Sequence, residues 1–270
     1  MIRIGPAGLG SDPISALKLY ASLGFKAAEV EFVHGVRFDS SKAKLIGKEA
    51  RALDISLSIH APYYINLASP NRAIRAASKR QILDCCERGH WLGSVREPVN
   101  IVFHPAFYGK LEHEECYEIV KEELEEVLEV VHSQGWNVQL APETTGKFSQ
   151  FGSLEELVRL ANELGCSLCV DFCHLKARGQ GKINYGNVIE TVLKVRGLKR
   201  LACHLSGVEW TSKGDRRHLL TTDEEIIGAL SAIARARIDA NIINESPDTI
   251  RDCIRMVKVL RELETTQKSK

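Results

Sequence analysis

The stretch SLSIHAPYYINLAS, residues 56–69, alternates polar and apolar side chains and then reaches His60, where the chain turns at a proline. Such alternation is typical of a β-strand. Similar short runs recur along the chain, at Ile2–Ile4, Ala27–Phe32, Ser56–His60, Val99–His104, Asn137–Ala141, Ser167–Asp171, Arg200–Leu205 and Ala240–Asn244. Segments with helical spacing separate them, such as residues 113–135, where apolar side chains recur every three or four residues.

Strands that alternate with helices, eight of each in about 250 residues, are typical of a (β/α)8 TIM barrel. We therefore predict a single-domain α/β protein, with the barrel over residues 1–264 and a short polar tail over 265–270. A doubly wound open sheet is the alternative, but the first turn, GPAGLGSDP (5–13), is interrupted by prolines and makes a poor phosphate-binding loop. The barrel predicts that chemistry clusters at the carboxyl ends of the strands.

Composition excludes several classes of protein. The 270 residues carry a formal net charge of +1 and are 44% hydrophobic, which is ordinary for a soluble globular protein. No apolar run approaches the ~20 residues of a membrane span. The eight cysteines fall mostly within predicted strands and helices, where cysteine behaves as a small buried hydrophobe. We expect a monomeric, cytoplasmic protein with reduced cysteines and no membrane partner.

Imidazoles and carboxylates follow strand after strand. A single histidine at a strand end is usually structural, and a single carboxylate often caps the next helix. Nine such residues at one rim are unlike either case: His60, His104, Glu143, Asp171, His174, His204, Asp215, His218 and Glu245. These are ligand types suited to zinc or manganese. One catalytic zinc usually takes three protein ligands, so nine ligands divide among three ions, a cluster suited to displacement at a phosphodiester.

Basic and aromatic residues occupy the loops on the same face. Such residues are often only solvated surface or rim packing, but beside a phosphodiester site they predict contact with a polyanion. The predicted DNA contacts are Arg37, Tyr63, Tyr108, Lys176, Arg178, Lys213, Arg216 and Arg217.

Ordered motifs give the chain a resemblance to the endonuclease IV family of zinc-dependent apurinic/apyrimidinic endonucleases, which are TIM barrels. The motifs are HAPYYINLAS (60–69), FHP (103–105), ETTGKFSQFGSLEEL (143–157), DFCH (171–174), HLS (204–206) and NESP (244–247). The resemblance implies base excision repair of duplex DNA, with hydrolysis of the phosphodiester 5′ of an abasic site by a metal-activated hydroxide.

The resemblance also implies an assignment of the ligands to three zinc ions. His60 and His104 would hold the first ion, and Glu143 would bridge it to a second held by Asp171, His204 and Glu245. His174, Asp215 and His218 would hold the third, as zinc or manganese. Glu245, beside the attacking water, and Glu143 are the predicted catalytic residues.

Two departures from the family pattern affect the third site and the loop after strand seven. The usual Asp-Arg-His is here Asp215-Arg216-Arg217-His218, one residue longer. The usual His-Leu-Asn-Asp is here His204-Leu205-Ser206-Gly207. The first predicts an altered loop or a weakened third site, and the second predicts altered substrate contacts.

Two other functions remain open at this stage. A xylose isomerase-like sugar isomerase or epimerase would need only Glu143, Asp171, His204 and Glu245, and would leave four histidines without a role. A non-catalytic DNA- or partner-binding barrel would be expected to lack some ligands.

Overall fold

The computed structural model describes residues 1–94 and 97–268. Twelve strands occur in this part of the chain: β1 (Ile2–Pro6), β2 (Ala27–Glu31), β3 (Ser56–His60), β4 (Val99–Phe103), β5 (Ala106–Phe107), β6 (Val138–Pro142), β7 (Gln150–Phe151), β8 (Cys169–Asp171), β9 (Arg200–Leu205), β10 (Gly207–Thr211), β11 (Gly214–Leu219) and β12 (Asp239–Asn244). The helices are α1 (Pro13–Ser22), α2 (Ser40–Ala52), α3 (Arg72–Leu92), α4 (His113–Ser133), α5 (Leu154–Leu164), α6 (Phe172–Arg178), α7 (Tyr185–Val192), α8 (Asp223–Ala236) and α9 (Thr249–Lys268).

Eight of these strands form a closed parallel barrel. Two four-stranded sheets, β1-β12-β9-β8 and β2-β3-β4-β6, pair in parallel throughout. Backbone hydrogen bonds join β1 to β2, from Gly8 to Glu29 at 3.0 Å and from Lys26 to Ile4 at 2.9 Å. Two more join β6 to β8, from Thr144 to Cys169 at 3.0 Å and from Ser167 to Leu140 at 2.9 Å. The predicted TIM barrel is confirmed, and the open-sheet alternative is wrong.

Helix caps follow from the sequence. Ser153 and Thr222 each form a capping box with the glutamate three residues later, Glu156 and Glu225. Asp12 caps α1, whose first residue is Pro13. These caps satisfy amide groups that a helix leaves unpaired at its start.

A layer of small side chains fills the barrel interior below the site. Val102, Ala141, Cys169 and Ala202, from four neighbouring strands, form one buried cluster. The larger apolar side chains pack between the strands and the surrounding helices. Because side chains alternate across a strand, the residues two positions further along each strand also face the interior.

The carboxyl-terminal helix α9 continues through the first residues of the predicted tail to Lys268. Residues 269–270 lie outside the described part, so the domain boundary at 264 stays a prediction. All eight cysteines are unpaired and buried, in agreement with their predicted role as hydrophobes. None of the helices in residues 1–94 and 97–268 has the length and apolar character needed to cross a bilayer.

Candidate metal centre

The alternation of side chains along the strands places four candidate metal ligands in one layer of the barrel. Two residues beyond Val102, Ala141, Cys169 and Ala202 stand His104, Glu143, Asp171 and His204. They form the next inward layer, at the carboxyl end of the barrel. Glu143 and Asp171 are completely buried, and His204 is 1% exposed.

Glu143 lies at the centre and divides its two oxygens between two pairs of histidines. Its Oε2 lies 3.1 Å from His60 Nε2 and 3.0 Å from His104 Nε2. Its Oε1 lies 3.1 Å from His204 Nδ1 and 3.4 Å from His174 Nδ1. A carboxylate placed in this way is arranged to bridge two neighbouring ions.

Second hydrogen bonds fix the orientation of two imidazole rings. His60 Nδ1 donates to the carbonyl of Ala61 at 2.9 Å, and His174 Nδ1 donates to the carbonyl of Thr144 at 2.9 Å. A carbonyl can only accept, so in the neutral rings the proton stays on Nδ1 and Nε2 is the nitrogen left to bind a metal.

Asp171 serves two purposes at the end of β8. Its Oδ1 accepts hydrogen bonds from the amides of Cys173 and His174 and caps α6. Its Oδ2 is buried without a hydrogen bond. The nearest histidine nitrogen, Nδ1 of His174 at 3.1 Å, already donates to Thr144. Asp171 therefore has one oxygen for the helix and one left for a cation.

Crowding of charges shifts the pKa values of these groups. Burial lowers the pKa of His60, but the hydrogen bond and charge of Glu143 outweigh it and raise this pKa to about 10. Burial likewise opposes the charge of Asp171 and the hydrogen bond of Glu143, which together raise the pKa of His174 to about 10. Burial raises the pKa of Glu245 to about 8, with the charges of Glu143 and Asp171 adding to the shift against that of His204.

The donor set fits divalent ions. Groups whose ligand atoms all lie within 4.8 Å of one another include His60–His104–Glu143 and Glu143–Asp171–His204–Glu245. Two nitrogen or oxygen ligands of one tetrahedral zinc ion stand about 3.3 Å apart, which is close to the 3.0–3.1 Å separations of Glu143 from His60, His104 and His204. The orphaned Asp171 Oδ2 adds a buried acceptor that a cation would satisfy.

The third predicted ligand group is only partly assembled. His174, Asp215 and His218 all line one cavity of about 310 Å³, together with His60, His104, Glu143 and Glu245. His174 and His218 form a close group with Cys173, which sequence reasoning did not select. Asp215 lies against Gly146 instead, and within the described residues it belongs to no such group.

A β-bulge absorbs the extra residue of Asp215-Arg216-Arg217-His218. In the antiparallel pair β10–β11, Trp210 faces Asp215 and Glu209 faces Arg217, so Arg216 is left unpaired. Without the bulge, Asp215 and His218 would point to opposite faces. With it they share one face, while both arginines lie on the other and bond Glu209. The longer motif thus keeps its two ligand-type side chains on the same face of the strand.

The second departure also has a structural role. Ser206 Oγ lies 2.7 Å from His218 Nδ1 and holds that ring in place. At position 207 a Cβ would stand 2.3 Å from the carbonyl oxygen of Leu220, so only glycine fits. Ser206 therefore joins the site as a residue that positions His218.

Sequence reasoning missed two carboxylates on β2. Glu29 is completely buried, with Oε1 3.1 Å from His204 Nε2. Glu31, whose pKa burial raises to about 7, has a carboxylate oxygen within 4.8 Å of those of Glu29 and Glu245. Acidic residues two apart in the apolar strand AAEVEF are the signal that could have found them.

A family described as "Xylose isomerase-like TIM barrel" matches residues 17–263. The chain belongs to the xylose isomerase-like TIM barrel family. An uncharacterized protein of Methanocaldococcus jannaschii is 33% identical over 97% of this chain and 98% of its own length. A "Probable endonuclease 4" of Campylobacter concisus is 31% identical over 76% of this chain and 75% of its own.

Solved structures support the same fold. A "D-tagatose 3-epimerase-like protein" superposes with a TM-score of 0.76 at 20% identity, over 99% of each chain. At this identity the likeness shows the fold alone. The chain is thus a xylose isomerase-like TIM barrel with candidate sites for divalent metals.

The predicted DNA contacts on this xylose isomerase-like barrel divide into two groups. Tyr63 is 55% exposed beside His60, and the side chains of Arg216 and Arg217 are 67% and 70% exposed at the cavity. Lys213, at the turn of the β10–β11 hairpin, and Arg37, which lines a separate cavity of about 490 Å³ with Glu31, are also exposed. All five are exposed, and two of them, Arg216 and Arg217, are also ion-paired with Glu209.

The other three are engaged within the protein. Tyr108 is only 6% exposed and its hydroxyl donates to Glu156 at 2.7 Å. Lys176 is partly buried and its charge is paired with Glu225 at 2.7 Å. A DNA contact at either residue stays a prediction and would require these bonds to be exchanged. Arg178 donates to the carbonyls of Lys147 and Gln150 and braces that loop.

Proposed function

We propose that this protein is a metal-dependent endonuclease that hydrolyses the phosphodiester 5′ of abasic sites in duplex DNA during base excision repair. The observation that carries the proposal is the pair of clusters joined by Glu143, with His174 and His218 beside the six residues that would hold two ions. The relative named "Probable endonuclease 4" supports it.

Within this proposal His60, His104, Glu143, Asp171, His204 and Glu245 would hold two ions, zinc by their ligand type, and His174, His218 and Asp215 a third, zinc or manganese. Bound ions would supply a nucleophilic water at neutral pH and neutralise charge on phosphoryl oxygens.

The remaining residues bind and orient the DNA. Arg216 and Arg217 lie at the cavity rim, where a phosphate backbone would pass. Tyr63 offers an exposed ring beside His60 for stacking on a base or sugar. Glu245, held 3.4 Å from His204 Nδ1, lines the cavity and orients the attacking water.

The test is a duplex oligonucleotide with one tetrahydrofuran abasic analogue, which resists β-elimination. We expect the metal-loaded protein to nick 5′ of the lesion and leave a 3′-hydroxyl end, and Glu245→Gln to reduce the rate at least ~100-fold. Glu129→Gln, an exposed site on α4, is the control and should cleave normally. No nicking by fully loaded wild-type protein would refute the proposal.

A second candidate is a sugar epimerase. Glu143, Asp171, His204 and Glu245 form a complete ligand group by themselves. The same preparation should be assayed for C3 epimerisation of ketohexoses, with His218→Gln as the discriminating variant. An epimerase would retain its rate in that variant, whereas a nuclease that needs the third cluster would lose it.

A further inference from the structure

Glu29 faces Nε2 of His204, the ring nitrogen opposite the one near Glu143, and one of its oxygens also lies within 4.8 Å of carboxylate oxygens of Glu31 and Glu245. Its Oε1 lies 3.1 Å from His204 Nε2. The opposite ring nitrogen, Nδ1, lies 3.1 Å from Glu143 Oε1 and 3.4 Å from Glu245 Oε1. The imidazole is therefore held between one carboxylate at its rear and two at the proposed metal position.

The two sides of the ring have different chemical requirements. A metal ligand must present a bare nitrogen, and a neutral imidazole carries its single proton on the other one. An ionised carboxylate can only accept a hydrogen bond. In the metal-free protein the Nδ1 side also faces acceptors, with Glu143 Oε1 within hydrogen-bond distance. When an ion occupies that side, Glu29 is the acceptor for the proton on Nε2, and the Nδ1 lone pair is left to bind the ion.

Glu29 is itself fixed by β3. Ser58 Oγ donates to Glu29 Oε2 at 2.6 Å, and the two residues are register partners in the β2–β3 pair. Both are buried, at 0% and 7% exposure. Within the described residues neither Glu29 Oε1 nor His204 Nε2 has another hydrogen-bond partner, and the two atoms form a close contact at 3.1 Å.

We propose that Glu29 is a positioning residue that sets the tautomer and orientation of His204, and through them the affinity of the ion shared with Glu143, Asp171 and Glu245. This inference rests on the metal centre of the proposed function but not on its DNA substrate. Partners of this kind behind a metal-binding histidine typically change metal affinity 10- to 100-fold when altered.

The test is metal binding by the full-length protein. Metal-free wild-type, Glu29→Gln and Ser58→Ala proteins are titrated with Co²⁺, followed by its visible absorption, and with Zn²⁺ against a chromogenic chelator. Glu29→Gln should weaken one ion about 10- to 100-fold and leave the others unchanged. Ser58→Ala, which removes only the hydrogen bond to Glu29, should weaken the same ion by a smaller factor. Glu225→Gln, a buried glutamate that caps α8, is the matched control and should bind as wild type.

Wild-type affinities and an unchanged Co²⁺ spectrum in Glu29→Gln would overturn the proposal. Should circular dichroism show that Glu29→Gln does not fold, Ser58→Ala decides, and unchanged affinity there overturns it equally. Wild-type protein that binds no divalent ion also overturns it. Protein that binds metal in the expected way but does not nick abasic DNA refutes only the proposed function.

Discussion

At the scale of single residues, Glu143 explains why the pKa values of His60 and His174 are raised. Its carboxylate stabilises the charged forms of these two rings, together with Asp171 in the case of His174, and this outweighs the burial that opposes charge. Burial raises the pKa of Glu143, but the charges of His104 and His204 hold it well below its usual range. In the metal-free protein, protons on the histidines therefore balance the negative charge of the carboxylates, which bound metal ions would otherwise balance.

The first prediction concerns proton release on metal binding. His60 and His174, with pKa values of about 10, are charged at pH 7.5 in the metal-free protein. Metal binding needs their neutral form, so it should release protons and tighten as pH rises toward about 10. Calorimetric titration of Zn²⁺ in two buffers with different ionisation enthalpies measures the release. His132→Gln, on the exposed end of α4, is the control.

The same shifts fix the sign of the stability change with pH. A histidine whose pKa is raised by folding stabilises the folded state. This contribution is complete below the pKa of about 6.5 that the residue has in the unfolded chain, and it disappears as pH rises through the pKa of the folded protein. The metal-free protein should therefore lose stability between about pH 6.5 and pH 10 from these two residues. A metal affinity independent of pH across that range would contradict both expectations.

At the scale of elements, the β10–β11 hairpin shows how a strand accepts an extra residue without losing its site. The bulge at Arg216 returns His218 to the face of Asp215, where a regular strand would have rotated it away. The two arginines then bond Glu209 on the opposite face.

The second prediction is that deletion of Arg216 preserves metal binding by His218. The shortened strand would pair regularly, and a spacing of two residues would keep the aspartate and the histidine on one face. Metal content measured by mass spectrometry should equal that of wild type. Insertion of one alanine after Arg217 is the contrasting variant, because it should rotate His218 out of the site and lower the content. The reverse pattern would show that the bulge does not set the position of His218.

At the scale of the whole molecule, barrel closure depends on a very close approach of β1 to β2. A Cβ at Gly5 would lie 1.5 Å from the carbonyl oxygen of Ala27. The third prediction is that Gly5→Ala destabilises the protein by about 3 kcal/mol or more, since neither backbone can move without opening the closure. At Gly10 an added Cβ would enter open space, and the only strain comes from the positive φ of 61°. Gly10→Ala should therefore lower the free energy of unfolding by about 1 kcal/mol. Urea unfolding compares the two, and equal losses would contradict this account.

The charge distribution over the molecule leads to the fourth prediction. The net charge of +1 gives little general attraction to DNA, so binding depends on local cations such as Arg216 and Arg217. Glu209 bonds both arginines, and Glu209→Gln should release them to contact phosphates. We expect affinity for abasic duplex to rise several-fold and the salt slope to steepen by about 1 per added contact. Fluorescence anisotropy across salt concentrations measures this.

Glu129→Gln makes the same change of net charge far from the hairpin and is the control. An equal gain in both variants would show that net charge, and not the hairpin, governs binding.

Local pattern determined the fold and most of the site. Short β-type runs between helical segments located all eight barrel strands, and the imidazoles and carboxylates at their ends are visible in the chain itself. The capping box that begins α5 likewise joins Ser153 to Glu156, only three residues further along the chain. These features depend on residues that are neighbours in sequence.

Only the tertiary structure decided which side chains meet across the barrel. Glu29 is 175 positions from His204 in the chain, yet the two touch because β2 and β9 both face the interior. The sequence predicted DNA contacts at Tyr108 and Lys176, and only the packing of the folded chain shows that Glu156 and Glu225 are their partners within the protein. The bulge at Arg216 depends on pairing with β10. Sequence patterns report the direction of each side chain relative to its own strand, whereas closure of the barrel selects its partners.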